Sequence, residues 1–477
     1  MKADARPARR TLPRPRSLAG LALLLGLCFP AGGSRAAALT FPEALSALRA
    51  RNGHLQAAAA EVAQRQEERL AARGLYFPRI EAHGNAVRLD SPLQLDFEGI
   101  SQMLRYVAAF TPGFPLETIP HLYDQIEGDH YVRADVSGSW TVFAGGRLRA
   151  ANGAAAARLD EARARRAQLE EGLSTELVRR YFGLRLARQS LAVRAAMVEE
   201  LAGHLAQTRQ LVETGRLPEA ERLQAEIALD AAERARKRDQ HELTAIQAGL
   251  CGLLAADDSV DAASPLFVPD AVEPLEHFLA LARGGNRELA RLDANERLAE
   301  ASGRMATSAW FPEIYLFGKH ELRYTDLTEL DPKWSAGVGA QWTLFDGGAR
   351  WRSGRASRQE RIQTRDDRTQ EQRDLEGAVS RDYQELLRES GEFHDLGRSV
   401  QTAREGLRLR RQMFLDGRES STAVSDAAGT YFDLLLDRLT AAFAFDVDLA
   451  ELLGACGASE QFEQYRNRTG PEVESGS

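Results

Sequence analysis

Cysteine is almost absent from this chain of 477 residues, which has only Cys28, Cys251 and Cys456. So few cannot make a disulfide framework, and nothing beside them has metal-ligand spacing. Lysine is scarce too, four against 57 arginines, a compositional bias with no functional reading attached. Past the N-terminal segment no apolar run reaches the ~18 residues that a transmembrane helix needs. There is no HExxH, no nucleophile elbow and no phosphate-binding glycine loop. The nine histidines are scattered, and the GGR at 145–147 lacks the lysine and Ser/Thr of a phosphate loop. No catalytic, cofactor or metal site is expected.

The N-terminus is of a recognisable kind. Lys2, Arg6, Arg9, Arg10, Arg14 and Arg16 precede the apolar run LAGLALLLGLCF, and AGGSRAAA follows. This predicts a secretory signal peptide over residues 1–38, cleaved after Ala36-Ala37-Ala38. Arg9-Arg10 in ARRTLP is a poor twin-arginine match, and the bulky Leu27 argues against lipidation at Cys28. Without residues 1–38 the chain carries 54 basic and 68 acidic groups, a net of −14. An exported protein this acidic is a poor nucleic-acid binder.

What the chain does contain is itself, twice. Asn52, Leu55, Phe77, Pro78 and Ile80 recur as Asn286, Leu289, Phe311, Pro312 and Ile314, at an offset of 234. Trp140, Phe143, Gly145 and Gly146 recur as Trp342, Phe345, Gly347 and Gly348, at an offset of 202, as do Tyr181 and Tyr383, Gly215 and Gly417, and Gly252 and Gly454. The chain therefore divides into repeats over 39–264 and 275–458, with a linker at 265–274 and a polar tail, 459–477, expected to be disordered. The fall from 234 to 202 places 32 extra residues in the first repeat, within 91–129, around an amphipathic piece from Phe97 to Phe110.

Periodicity assigns the elements. Val132, Ala134, Val136, Gly138, Trp140 and Val142 alternate with Arg133, Asp135, Ser137, Ser139 and Thr141; Trp334 to Leu344 repeat the pattern. Strands are expected near 76–90, 130–144, 310–324 and 333–346, one face apolar and one wet, with aromatic ends. A soluble sandwich edge would show the same alternation, but four strands make a poor sandwich. Strands of ~9–11 residues fit a transmembrane β-barrel. Four cannot close one, since the smallest have ~8, so several copies must share it, and three would supply twelve. After each Gly-Gly the period becomes helical. Helices are expected over 147–214 and 349–416, proline-free and ~100 Å long, returning over 218–255 and 420–455 after Gly215 and Gly417. Helices of that length on membrane strands must project into an aqueous compartment.

The signal peptide, LTFPEALSALRARN, the FP strands, the WTxFxGG turns and the ETGR and LDGR returns together resemble the TolC-type outer-membrane efflux protein family, over nearly all of 39–458. The resemblance implies a mainly α fold with transmembrane β: duplicated long α-hairpins and four strands per protomer, forming as a homotrimer a twelve-stranded barrel in outer-membrane lipid and a periplasmic tunnel. It implies a passive conduit of a tripartite efflux or type I secretion system, working with a periplasmic adaptor and an inner-membrane pump. Trp140, Phe143, Gly145 and Gly146, with Trp342, Phe345, Gly347 and Gly348, become strand-to-helix junctions, Asp346 capping the second helix. The tips, Gly215, Arg216, Leu217, Gly417, Arg418 and Glu419, become adaptor-docking candidates. The entrance gate is expected at Glu221 and Asp426. Phe414 stands where some members have a hydrogen-bonding tyrosine, and Glu419 where they have an arginine. The rival reading is a periplasmic coiled-coil scaffold with no channel.

Overall fold

The computed structural model describes residues 37–90, 93–96, 98–110, 123–127, 130–256, 259–324 and 332–468. Of the signal-peptide reading over 1–38, residues 1–36, with Cys28, lie outside these residues, as do Phe114 and the tail beyond 468, whereas Ala37 and Ala38 begin the first strand.

Each repeat is written in the same order and nearly the same lengths. After the short strand β1 (Ala37–Leu39), the first repeat has α1 (Phe41–Arg51), α2 (Gly53–Gly74), β2 (Arg79–Arg88), β5 (His130–Phe143), α4 (Arg147–Glu213) and α5 (Glu219–Leu254). The insertion between β2 and β5 forms a hairpin of β3 (Leu93–Asp96) and β4 (Tyr123–Glu127), with the helix α3 (Glu98–Ala109) between them. A short strand, β6 (Val260–Ala262), precedes the second repeat. That repeat has α6 (Leu275–Gly285), α7 (Arg287–Ser308), β7 (Glu313–Tyr324), β8 (Trp334–Gln341), α8 (Ala349–Leu415) and α9 (Ser421–Ala455). Both α4 and α8 have 67 residues, ~100 Å at 1.5 Å per residue.

The paired asparagines explain one of the sequence coincidences. Asn52 accepts from the His54 and Leu55 amides and so caps α2; Asn286 accepts from the Leu289 amide and caps α7. Their amide groups then reach equivalent carbonyls, Leu253 and Ala455, at the ends of the returning helices.

The four long strands form one antiparallel sheet in the order β2-β5-β7-β8. Among the described residues its outer strands, β2 and β8, are each paired on one side only. The face carrying Ile80, Val132, Trp140, Trp334, Val338 and Trp342 is exposed, Trp334 by 68%. On the opposite face Lys319 lies 2.7 Å from Glu321 and 3.6 Å from Asp135. Tyr315 and Phe317, which blur the alternation in sequence, lie over Gly339 and Gly337 of β8. A Cβ on Gly339 would stand 2.4 Å from the Tyr315 ring. Among the described residues no helix is long and apolar enough to cross a membrane.

The main core lies partway along the long helices and ties both repeats together. β1 pairs in parallel with β6, and Tyr181 of α4 locks the pair: its hydroxyl donates to Leu39 O (2.6 Å) and accepts from the Ser264 amide (2.8 Å). Two expectations change here. The segment 265–274 is more than a linker, because Leu266, Phe267 and Val268 are buried. The tail is not disordered from its start. Ser459–Gln461 form a 3-10 turn and Phe462–Asn467 a helix, α10, whose Phe462 and Tyr465 are buried. Phe462 packs at 5.2 Å on Phe41 and 5.4 Å on Phe267. The two rings, with the Ser459 amide on Glu171 and Arg468 on Glu273, dock a segment whose composition is otherwise polar.

Candidate functional site

Two regions carry the residues singled out in the sequence: the strand–helix junctions and the far tips of the helices.

At the junctions each strand tryptophan is tethered to a backbone carbonyl at the end of a preceding helix. Trp140 donates its indole N–H to Tyr76 O at 2.9 Å, and Trp342 donates to Trp310 O at 3.2 Å. The glycines then turn the chain. Gly145, Gly146, Gly347 and Gly348 all have positive φ, between 57° and 88°. Gly145 is doubly constrained, because a Cβ there would meet Phe311 Cβ at 2.6 Å and Ser308 O at 2.8 Å, whereas Gly347 faces open space. Asp346 caps as its position suggested, accepting from the Gly348 amide (3.1 Å) and the Arg350 amide (3.0 Å). The first junction, with the buried Ala144 in that place, uses a strand instead: Glu313 of β7 accepts from Arg147 (2.6 Å) and from Thr141 (3.1 Å). Phe143 and Phe345 are exposed, Phe345 by 86%.

At the opposite end both long helices stop in the same way. Gly215 (φ 74°) and Gly417 (φ 71°) follow the last turns. The Arg216 amide bonds back to Leu211 O and the Arg418 amide to Met413 O, each at 2.9 Å, the Schellman stop. Arg216 and Arg418 are exposed, Leu217 and Glu419 half-buried, and Leu217 packs on a second apolar cluster that includes Leu201, Phe414 and Val424. Pro218 and Ser420 then start the returning helices, Ser420 accepting from the Ala423 amide.

Just inside the tips, the hairpin of the first repeat is bonded to that of the second. Glu221 of α5 accepts from the Ser421 backbone amide at 2.6 Å, placing a carboxylate on the first turn of α9 where the helix dipole favours it. The Ser421 hydroxyl lies 2.8 Å from Nε2 of His204, a buried residue of α4 whose ring packs against Phe414 with centroids 4.8 Å apart. His204 Nδ1 is buried and has no hydrogen-bond partner. Burial holds the His204 imidazole below its ordinary value of 6.5, against the opposing pull of Ser421 and Glu221. One turn before His204, Glu200 pairs with Arg411 of α8. Asp426 stands exposed farther along α9, its carbonyl accepting from Thr430. The structure thus brings Glu221 and Phe414 into one cluster and leaves Asp426 outside it.

Sequence reasoning missed His204. The signal was present: Leu201, His204, Leu205 and Thr208 follow the three–four spacing of a buried helical stripe, and all four are buried. The carbonyl tethers of the tryptophans leave no side-chain signal at all. No cluster of metal-binding side chains occurs among the described residues.

The family model described as "Outer membrane efflux protein" matches this chain over residues 44–256 and 278–458. The chain belongs to the outer membrane efflux protein family. No curated protein matches it in sequence. Among solved structures it is similar to CusC, with 14% identity, a TM-score of 0.72, and coverage of 90% of this chain and 95% of that one. It is similar to VceC of Vibrio cholerae at 13% identity and TM-score 0.70, covering 88% and 96% of the two chains. It is also similar to the CmeC outer membrane channel of Campylobacter jejuni at 11% identity and TM-score 0.70, covering 97% and 98%. These likenesses establish the fold: a mainly helical chain with a long helical part and a barrel part.

Proposed function

We propose that three copies of this efflux-family protein close a twelve-stranded barrel in the outer membrane. Their α-hairpins then form a tunnel into the periplasm, a passive conduit for cargo delivered by an inner-membrane pump through a periplasmic adaptor. The observation that carries the reading is the open sheet. Four strands with an exposed apolar face and a charged opposite face leave β2 and β8 each paired on one side among the described residues. Unpaired strand edges are not tolerated in lipid, so other copies must supply the missing partners. The tip turns, the non-helical surface at the end farthest from the sheet, are where an adaptor would meet Gly215 to Leu217 and Gly417 to Glu419. The polar ties of Glu221, His204 and Ser421 hold the first and second hairpins together there, as a closed entrance requires.

Reconstitution in planar bilayers tests this. Discrete conductance steps are expected, together with sedimentation of the native protein with outer membranes. Asp426, repeated three times about the axis, would form an acidic ring, so Asp426→Asn is expected to lower cation over anion permeability about twofold or more. Recovery in the soluble periplasm with no conductance would favour the scaffold instead, and unchanged selectivity would remove Asp426 from the gate.

A further inference from the structure

The first turns of α8 are strongly basic, although the chain as a whole is acidic. Residues 349–365 contain six arginines, Arg350, Arg352, Arg355, Arg358, Arg361 and Arg365, and a single acid, Glu360. The corresponding stretch of α4, residues 147–163, has four arginines and two acids, so the duplication does not account for the excess. The exposed Trp351 has the Arg352 and Arg355 guanidinium groups 4.8 and 4.9 Å from its ring centroid.

An open cleft of about 610 Å³ lies between α7 and α8, lined by Glu300, Arg304, Thr307, Trp310, Arg358 and Arg361. Arg304 is paired with Glu300 at 2.9 Å; Arg358 and Arg361 are exposed. Trp310 connects this cleft to the sheet. Its carbonyl accepts from Trp342, whose side chain belongs to the apolar face, and the Asp346-paired Arg350 guanidinium stacks 4.8 Å from its ring. Helical side chains lean toward the N-terminus of their helix, and the N-terminus of α8 is its sheet end. Arg358 and Arg361 therefore lean toward the sheet, with Arg361 beside Gly303 of α7, whereas Arg304, on a helix whose C-terminus is its sheet end, leans the other way.

We propose that this cleft binds the phosphate headgroup of an anionic glycerophospholipid of the periplasmic leaflet, whose acyl chains pass Trp310 and Trp342 along the apolar face of the sheet. The proposal rests on the outer-membrane reading above. Phosphate on two or three guanidinium groups forms charge-assisted, often bidentate bonds, and the tryptophans suit the interface between headgroup and chain.

Native mass spectrometry of the full-length protein purified in detergent tests it, with phosphatidylglycerol, phosphatidylethanolamine and soluble glycerol 3-phosphate as separate probes. Phosphatidylglycerol is expected to be retained roughly tenfold better than phosphatidylethanolamine. The double substitution Arg358→Gln/Arg361→Gln should abolish that preference, Arg358→Lys/Arg361→Lys should keep most of it, and Arg236→Gln/Lys237→Gln on the exposed side of α5 should leave it unchanged. Equal retention of the two lipids, or a preference that survives the glutamine pair, would overturn the site. Binding of glycerol 3-phosphate as strong as that of the lipid would make it a site for free phosphate. If the glutamine pair changes ion selectivity in bilayers while lipid retention stays the same, the arginines face the tunnel and the proposal fails. Conductance of the wild type, measured separately, distinguishes these results from failure of the channel reading itself.

Discussion

The indole N–H of Trp140 donates to Tyr76 O across 64 residues of sequence, and its partner in the second repeat, Trp342, makes the same bond to Trp310 O across 32. The 32 residues that separate the two spans are those of the insertion, which leaves the tether untouched. Trp140→Phe keeps the apolar ring and deletes the donor, leaving a carbonyl without that partner. It is expected to cost ~1 kcal/mol, and the double variant with Trp342→Phe about twice that, since the two bonds are separate. Thermal unfolding of the assembled protein reads both; full loss from either single variant would show that the tethers act as one unit.

The two Gly-Gly turns are expected to differ in tolerance despite nearly equal backbone angles. Gly347→Ala meets nothing within 4 Å and should cost ~1 kcal/mol, the left-handed penalty alone. Gly145→Ala drives a methyl into Phe311 and the Ser308 carbonyl, and should cost ~3 kcal/mol or more. Denaturant unfolding compares them, and equal effects would mean that the junction relaxes freely around Phe311.

The tip is expected to loosen in acid. His204 is held below its ordinary value of 6.5 chiefly by burial, so the closed tip favours the neutral ring and a loosened tip returns it toward 6.5. The closed form is then fully favoured above pH 6.5 and loses ground as pH falls below it, by at most ~1.4 kcal/mol per pH unit. The groups that face the ring are Glu221 from α5, Phe414 from α8 and Ser421 from α9, and the Glu200–Arg411 pair lines the same cavity as His204. Hydrogen-exchange protection over residues 205–213 should fall between pH 7.5 and 5.5 in the wild type and stay level in His204→Asn. Identical profiles would assign the acid response to another group.

Much of the fold is legible in the sequence because its elements are long and strictly periodic. The alternation from Val132 to Val142 leaves little choice but a strand, and no tertiary contact has to be known to end a helix at Gly215 or Gly417. Counting from those glycines reaches Glu221 and Phe414 only because the resemblance to the efflux family says which positions to count to. The core is much less legible. Leu266, Phe267, Phe462 and Tyr465 lie in segments rich in proline or charge, and only the convergence of both repeats on Tyr181 makes them interior. His204 belongs to the same class: its Ser421 partner is 217 residues away, brought near by a helix crossing that no local pattern encodes.

The contact of Phe41 with Phe462 has a consequence for biogenesis. The two rings are 421 residues apart in the chain. A polypeptide emerging N-terminus first cannot complete its midsection until Phe462 has emerged. Pairing over such a separation is slow to form, and until then the side of Phe41, Phe182 and Phe267 that Phe462 covers stays open. The incomplete chain is therefore a natural client for holding chaperones, and truncation before Phe462 removes the ring that closes over the other three.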